Sequence, residues 1–268
     1  MSTDGDSAPP QGTTRVVGAQ TISRAFAVLR LFRDRGTDLG VGQVAKDLGL
    51  NLSTVHRIVR ALVAEGYLAQ NEDSERYYLG TGALLLGQAA HRNFGLDVVY
   101  PVIQNLAAQT GESVNLGVLA DNAAIVVERI ESAQPLRFTQ PPGTRVVLHA
   151  SSMGKALLAF NDEVRKRTLH EVSELPALTP KTLTNVNDLE ADLEVIRARG
   201  WSIDDEESTL GVRCVGAAVR DASGNARAAI AVQAPAVRVP DARFDELGPE
   251  VVRAAKEIST LLPPGHSF

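Results

Sequence analysis

The sequence predicts an α+β protein in two parts, and three observations predict it. Three short amphipathic helical patterns and a hairpin pattern follow one another between residues 18 and 80. From Ser113 onward the apolar period alternates in paired runs separated by turn residues, with helical stretches between them. At 268 residues and 28.6 kDa the chain is also longer than one ordinary core requires. The expected organisation is a tail over 1–17, a helical head over 18–80, a connecting helix over 81–94, and a larger domain over 95–268 with a mainly antiparallel sheet.

Composition narrows the function classes. With 44% hydrophobic and 22% charged residues the chain is not a disordered one. No apolar run approaches the ~20 residues of a membrane helix. The first seventeen residues are rich in Ser, Thr, Asp, Gly and Pro. They lack the basic start and apolar stretch of a signal peptide and read as a disordered tail. Cys214 is the only cysteine, which excludes an internal disulfide and a four-thiolate zinc site. A soluble cytoplasmic protein is expected, without a membrane partner. The formal charge of −5 lies in the second part. Residues 1–85 hold nine basic and nine acidic side chains, and residues 86–268 hold eighteen and twenty-three. A neutral head can still grip phosphate if its basic residues share a face.

Each element of the head has its signal. Thr21 is placed to cap a first helix whose Ile22, Ala25, Phe26, Leu29 and Phe32 form one apolar stripe. Gly36 to Gly40 breaks it. A second helix carries Val41, Val44, Ala45 and Leu48 on one face and stops at Gly49. A third buries Val55, Ile58, Val59, Leu62 and Val63 and ends at Gly66. Two short helices around a tight glycine-containing turn make a helix-turn-helix. Ser53, Arg57 and Arg60 lie opposite the apolar stripe of the third helix, with Thr54 and His56 on its flanks. Such groups suit a major-groove reader, since Arg can donate twice to guanine and Ser or Thr can bond base edges or phosphates. Any surface helix can also present them to water. Residues 67–70 and 76–79 then read as a hairpin around the polar tip 71–75, which completes the order of a winged helix-turn-helix. Arg76 would point to a phosphate backbone, as would Arg24 and Lys46. The tip is acidic (Glu72, Asp73, Glu75), which opposes its deep insertion into a groove.

These motifs resemble the IclR family of bacterial transcriptional regulators. The resemblance rests on Gln20-Thr21-Ile22-Ser23-Arg24-Ala25, Ser53-Thr54-Val55-His56-Arg57 and Tyr77-Tyr78-Leu79-Gly80 in the head. In the second part it rests on residues 149–159, Asp204-Asp205-Glu206-Glu207 and Gly211-Val212-Arg213-Cys214. It implies a GAF-like effector domain and a ligand-responsive regulator, a repressor rather than an activator. Such a protein binds double-stranded operator DNA and a small organic acid as a homodimer, with a dimer of dimers left open and no cofactor. The resemblance places the effector at Ser152 and Met153 through their backbone, and at Asp204 and Cys214. It also implies that members answering to glyoxylate or pyruvate carry two serines where this chain has Ala231 and Gln233. Losing both hydroxyls points to a larger or aromatic acid.

The rest of the second part is read from pattern. Gly80 to Phe94 has high helical propensity and more apolar residues than a lone surface helix needs, so a partner chain is expected over it. Val99, Val102, Ile103 and Leu106 share a helix face ended by Gly111. Runs 113–119 and 124–130 form a hairpin across Asp121-Asn122, and Pro141-Pro142-Gly143 marks a turn. Asn187 is placed to cap a helix to Arg199. Runs 213–220 and 227–233 form a second hairpin, and a last helix covers about Leu247 to Leu262. In the second hairpin Val215, Ala217, Val219, Ile230 and Val232 supply a packing face. Cys214, Gly216, Ala218, Ala229, Ala231 and Gln233 supply a small-residue face, suited either to a ligand or to a closely packed helix. Residues 151–154 precede a helix over 155–159, whose free N–H groups attract anions. An ordinary Ser152 cap is the plain alternative.

Three rival readings compete with this one. A cysteine enzyme would use Cys214 with His149 as base and Asp204 as orienter, but a thiol within a strand among small apolar residues is usually buried and inert. A metal site at Asp204–Glu207 competes with a solvated acidic loop, and His56, His91, His149, His170 and His266 show no ligand spacing. A winged helix that binds protein does not account for Ser53, Arg57 and Arg60 facing outward together.

Overall fold

The computed structural model describes residues 19–170 and 174–262, with the side chain of His170 left aside; the expected tail over 1–17 lies outside them. The described chain divides into two compact units at Ala90/His91. None of its helices is long and apolar enough to cross a membrane.

In the first unit, helices α1 (Ala19–Arg35), α2 (Val41–Leu48) and α3 (Leu52–Ala64) precede a hairpin of β1 (Leu68–Gln70) and β2 (Tyr77–Leu79) and the start of α4 (Thr81–Asn93). Gly49 stops α2 in the left-handed region at φ 62°, as its sequence position predicts. Asn51 caps α3 by accepting from the Thr54 N–H at 3.1 Å. The core packs Val28, Phe32, Leu39, Val44, Val55, Ile58, Val59, Leu62, Leu68 and Tyr77.

Three details of the head depart from the sequence reading. Thr21 is not a cap, because the helix already includes Ala19 and Gln20. The buried stripe of α1 runs through Ala25, Val28, Leu29 and Phe32. Ile22 at its outer end and Phe26 one residue round from it are more than half exposed. Val63 is also exposed, one position beyond the α3 face that Leu62 closes.

Contacts at two ends stiffen the head. Arg76 donates from Nε (3.1 Å) and Nη2 (2.6 Å) to the Asp38 carbonyl, tying the hairpin to the segment before α2. Leu39 pairs with Tyr77 beside it. At the other end the Gly82 N–H donates to the Gly66 carbonyl at 2.9 Å, so the first turn of α4 sits on the turn that ends α3.

The second unit is built on an antiparallel sheet of six strands, in the order β5-β4-β3-β8-β7-β6. They are β3 (Ser113–Ala120), β4 (Ala123–Ile130), β5 (Arg145–Val147), β6 (Ser202–Asp205), β7 (Val212–Arg220) and β8 (Ala226–Pro235). Two adjacent residues, Asp121 at φ 52° and Asn122, close the first hairpin. Helices α5 (Leu96–Thr110) and α9 (Asp241–Leu261) cover one face, against Val114, Leu116, Val215, Val219, Ile230 and Val232. Helices α6 (Ser152–Ala159), α7 (Asp162–His170) and α8 (Val186–Arg199) cover the other, with Ala229 and Ala231 beneath them. The alternation therefore assigned the two faces correctly. It did not find β5, β6 or α7, which are short. Asn185 caps α8 in place of Asn187. Helix α9 begins six residues before Leu247, since Phe244 already packs into the core.

Helix α6 is seated by a close approach and by charge. Gly154 backs onto the 147–148 main chain, where a Cβ would collide with backbone atoms. Lys155 is 2% exposed, and its Nζ lies 2.6 Å from Glu207 Oε1 and 2.8 Å from Asp192 Oδ2. Burial pushes the Glu207 carboxyl up to about 7 against the pull of Lys155.

Two outcomes follow. Gly154→Ala should unfold at markedly lower denaturant than Gly87→Ala. The first adds a Cβ against fixed backbone, and the second meets nothing within 4 Å. Equal midpoints would contradict that ranking. A carboxyl raised from 4.5 to about 7 on folding gives stability that is complete below about pH 4.5 and is lost as pH rises through about 7. Asp204, raised by burial, acts in the same sense. His149, lowered by burial, acts oppositely and loses stability as pH falls. Comparison with Glu207→Gln therefore isolates Glu207: the variant should show a flatter fall in Tm between about pH 5 and 7.5, and an identical slope would refute the assignment.

Candidate functional site

The first candidate surface is the outer face of α3. Its spacing puts Ser53, His56, Arg57 and Arg60 in solvent and Thr54 half-buried. Ser53 Oγ donates to Asn51 Oδ1 at 3.3 Å, so one hydroxyl is held at the start of the helix. Arg57 and Arg60 carry no hydrogen bond or ion pair within the described residues. Lys46, exposed on α2, and Arg24, half-buried on α1, are likewise without one. Arg76 differs, since its guanidinium is already committed to the Asp38 carbonyl. Asn71 Oδ1 orders the hairpin tip by accepting from the N–H groups of Asp73 and Ser74, both at 3.0 Å, and leaves the acidic side chains exposed. An unpaired guanidinium pair on a capped helix, flanked by hydroxyls, can engage phosphate and guanine edges.

The second candidate site lies on the sheet face under α6. Strand register sets Asp204, Cys214, Gln233 and Ser113 in one row across β6, β7, β8 and β3. The neighbouring row is Ser202, Gly216, Ala231, Asn115 and Arg129, reaching β4. Ser202 Oγ donates to the Ser152 carbonyl at 2.6 Å. A Cβ on Gly216 would stand 3.0 Å from that same carbonyl carbon. The Met153 thioether lies over Gly117, 2.9 Å from where a Cβ would be. The structure thus brings Ser152, Met153, Asp204, Cys214, Ala231 and Gln233 into one patch. The volume released by Gly216 and Gly117 is filled by α6 itself, so close helix packing accounts for these glycines. Ser151, not Ser152, is the cap, accepting from the Gly154 N–H at 3.0 Å. The helix therefore starts three residues earlier than its sequence suggested, leaving the N–H groups of Ser152 and Met153 as its first two.

Electrostatics distinguish this site from a catalytic one. Burial and the nearby Asp204 push the Cys214 thiol well above its ordinary value. It stays a neutral thiol. His149 Nε2 is 2.9 Å from the Pro176 carbonyl. The acidic run is not a solvated loop. Asp204 Oδ1 accepts from the Glu207 N–H at 2.8 Å, Asp205 pairs with Arg213, Glu206 with Lys181, and Glu207 with Lys155. Strand alternation and the positive φ of Glu206 turn the four carboxylates in different directions. No group of metal-ligating side chains occurs among the described residues.

Sequence reasoning missed a buried polar cluster beside the patch. Arg129 Nη1 donates to Asn115 Oδ1 (2.7 Å) and Gln233 Oε1 (3.0 Å), and Nη2 to Ser113 Oγ (3.2 Å) and the Phe138 carbonyl. Gln233 Nε2 donates to Gln140 Oε1 at 2.7 Å. A signal was present: Ser113 and Asn115 alternate with the buried Val114 and Leu116, in phase with the small-residue face.

Comparison with known proteins agrees with both halves. A family model described as the IclR helix-turn-helix domain matches residues 21–72, and one described as bacterial transcriptional regulator IclR C-terminal matches residues 91–260. The HTH-type transcriptional regulator BhcR of Paracoccus denitrificans is 37% identical over 249 residues, covering 92% of this chain and 88% of that protein. The transcriptional repressor IclR of Escherichia coli is 32% identical over 256 residues, covering 94% and 93%. A crystal structure of an IclR homolog from Microbacterium hydrocarbonoxydans, complexed with 4-hydroxybenzoate, has the same fold. It superposes with a TM-score of 0.76 at 23% identity, covering 90% of this chain and 98% of that one. The curated relatives named here are a regulator and a repressor of transcription. The chain belongs to the IclR family of bacterial transcriptional regulators.

Proposed function

We propose that this regulator is an operator-binding repressor whose grip on DNA answers to a small organic acid, larger than glyoxylate or pyruvate and of aromatic type. The observation that carries the DNA-binding half is the outer face of α3, where Arg57 and Arg60 stand exposed without partners beside Ser53, Thr54 and His56. In this reading α3 enters a major groove. Ser53, Thr54, His56 and Arg57 reach base edges or phosphates, while Arg60, Lys46 and Arg24 bind phosphate. Arg76 also faces phosphate, through whatever of its guanidinium the Asp38 carbonyl leaves free. Repression is supported by the function named for the Escherichia coli relative.

One head of this size contacts too few base pairs for genomic selectivity, so a homodimer on paired half-sites belongs to the proposal. The apolar side chains Ile22, Phe26, Leu84, Leu85 and Leu86, all more than half exposed, supply a surface for it. The effector is assigned to Ser152, Met153, Asp204, Cys214, Ala231 and Gln233. Ala231 and Gln233 remove the two hydroxyls that suit a two- or three-carbon oxoacid. The Microbacterium structure shows that the fold can house an aromatic acid. Binding there would favour one arrangement of the domains, which requires different effector affinity in the two arrangements. A regulator of this kind acts in the cytoplasm.

The test is binding of the purified chain to fragments upstream of its own gene, against random competitor, over a salt series. A selective footprint and a falling affinity with rising salt are expected. No preference for any fragment, with or without added acids, would end the reading. Arg57→Ala should weaken the selected site by about 1–3 kcal/mol and relax discrimination at one base pair. An unchanged footprint and affinity would remove Arg57 from the base-reading set.

A further inference from the structure

The second unit buries two cations on the same side of its sheet, and it treats them differently. Lys155 is supplied with two carboxylates, Glu207 and Asp192, both within 2.8 Å. Arg129, whose side chain is 5% exposed, touches only neutral acceptors: Asn115, Gln233, Ser113 and the Phe138 carbonyl. Its nearest carboxylate is Glu131 at 3.9 Å, nearly half exposed and shared with Arg137 at 3.3 Å. The Arg129 Nε is buried and has no hydrogen-bond partner.

A guanidinium out of water without a counter-ion in contact costs several kcal/mol in principle, and an unmade hydrogen bond adds to it. Burial correspondingly lowers the affinity of Arg129 for its proton. The neutral amides of Asn115, Gln140 and Gln233 orient the group but do not balance its charge.

We propose that Arg129 receives the carboxylate of the effector, with the Asn115–Gln140–Gln233 amides holding the guanidinium in place. The proposal rests on reading this sheet face as the effector site, and it names the group that recognises the acid. Position supports it. Arg129 is in register with Asn115, Ala231 and Gly216, the row on which Ser152 rests. It bonds Gln233, one of the two residues that replace the expected serines. Arg129 and Gly216 stand three strands apart, about 14 Å at ordinary strand spacing, and the Arg129 guanidinium reaches Gln233 on a strand between them. The Met153 thioether over Gly117 is the movable group in the acid's way.

The experiment uses the full chain, with calorimetric and thermal-shift titrations of glyoxylate, pyruvate, benzoate, 4-hydroxybenzoate, phenylacetate and the neutral isostere benzamide. Wild type should bind an aromatic acid and not benzamide, and Arg129→Gln should weaken that acid at least tenfold with an unchanged circular dichroism spectrum. Equal binding by Arg129→Gln, or equal binding of benzamide by wild type, overturns the assignment and leaves the effector reading standing. Binding of no acid in the series by wild type overturns the effector reading itself, and this assignment with it. Should Arg129→Gln fail to fold, Arg129→Lys decides: it keeps the charge but not the fork, so a severalfold loss supports the proposal and an unchanged Kd refutes it.

Discussion

Ser152 lays its carbonyl against Gly216 with no side chain between them, and Ser202 donates a hydrogen bond to that carbonyl from the edge strand. A helix can approach a sheet this closely only where the sheet offers glycine or alanine, and here it offers Gly117, Gly216, Ala229 and Ala231. The depth of that contact sets where everything nearby can lie. It carries Lys155 into the interior, where Glu207 and Asp192 must meet it. It brings the first N–H groups of α6 to the patch that holds Cys214 and Gln233. It also fixes the Met153 side chain over the sheet.

Charge burial is the cost of that arrangement, and it is met in two ways. Around Lys155 the protein provides its own counter-ions, and the acidic run 204–207 divides so that each carboxylate has its own partner. Around Arg129 it provides dipoles instead. The first arrangement holds a helix in place and the second holds a group in readiness. Removing Lys155 would leave Glu207 and Asp192 without the cation that faces them both, which is far more damaging than the triad is stabilising.

Much of this was legible in residue order. The glycines at 49 and 111, the Asp121-Asn122 turn and the period of two in β7 and β8 act locally, so their signals survive without tertiary context. The buried stripe of α1 differs from the sequence reading because Ile22 and Phe26 satisfy the helical period yet stay exposed among the described residues. Strands β5 and β6 were missed because three or four residues carry too little alternation. For the candidate patch under α6, the family pattern supplied Ser152, Met153, Asp204 and Cys214. The Arg129 cluster needed strand register, because Asn115, Gln140 and Gln233 meet only when distant segments pair. The acidic run could not be resolved from sequence, since four adjacent carboxylates look alike until Lys155, Lys181 and Arg213 are placed beside them.

The hydrogen bond from Gly82 to Gly66 joins the opening turn of α4 to the closing turn of α3, and the absence of side chains at Gly80 and Gly82 allows the backbones to touch. The Arg76 clamp fastens the hairpin to the same body. α3, the hairpin and the first turn of α4 are therefore tied into one body, so a rotation of that turn carries the outer face of α3 with it.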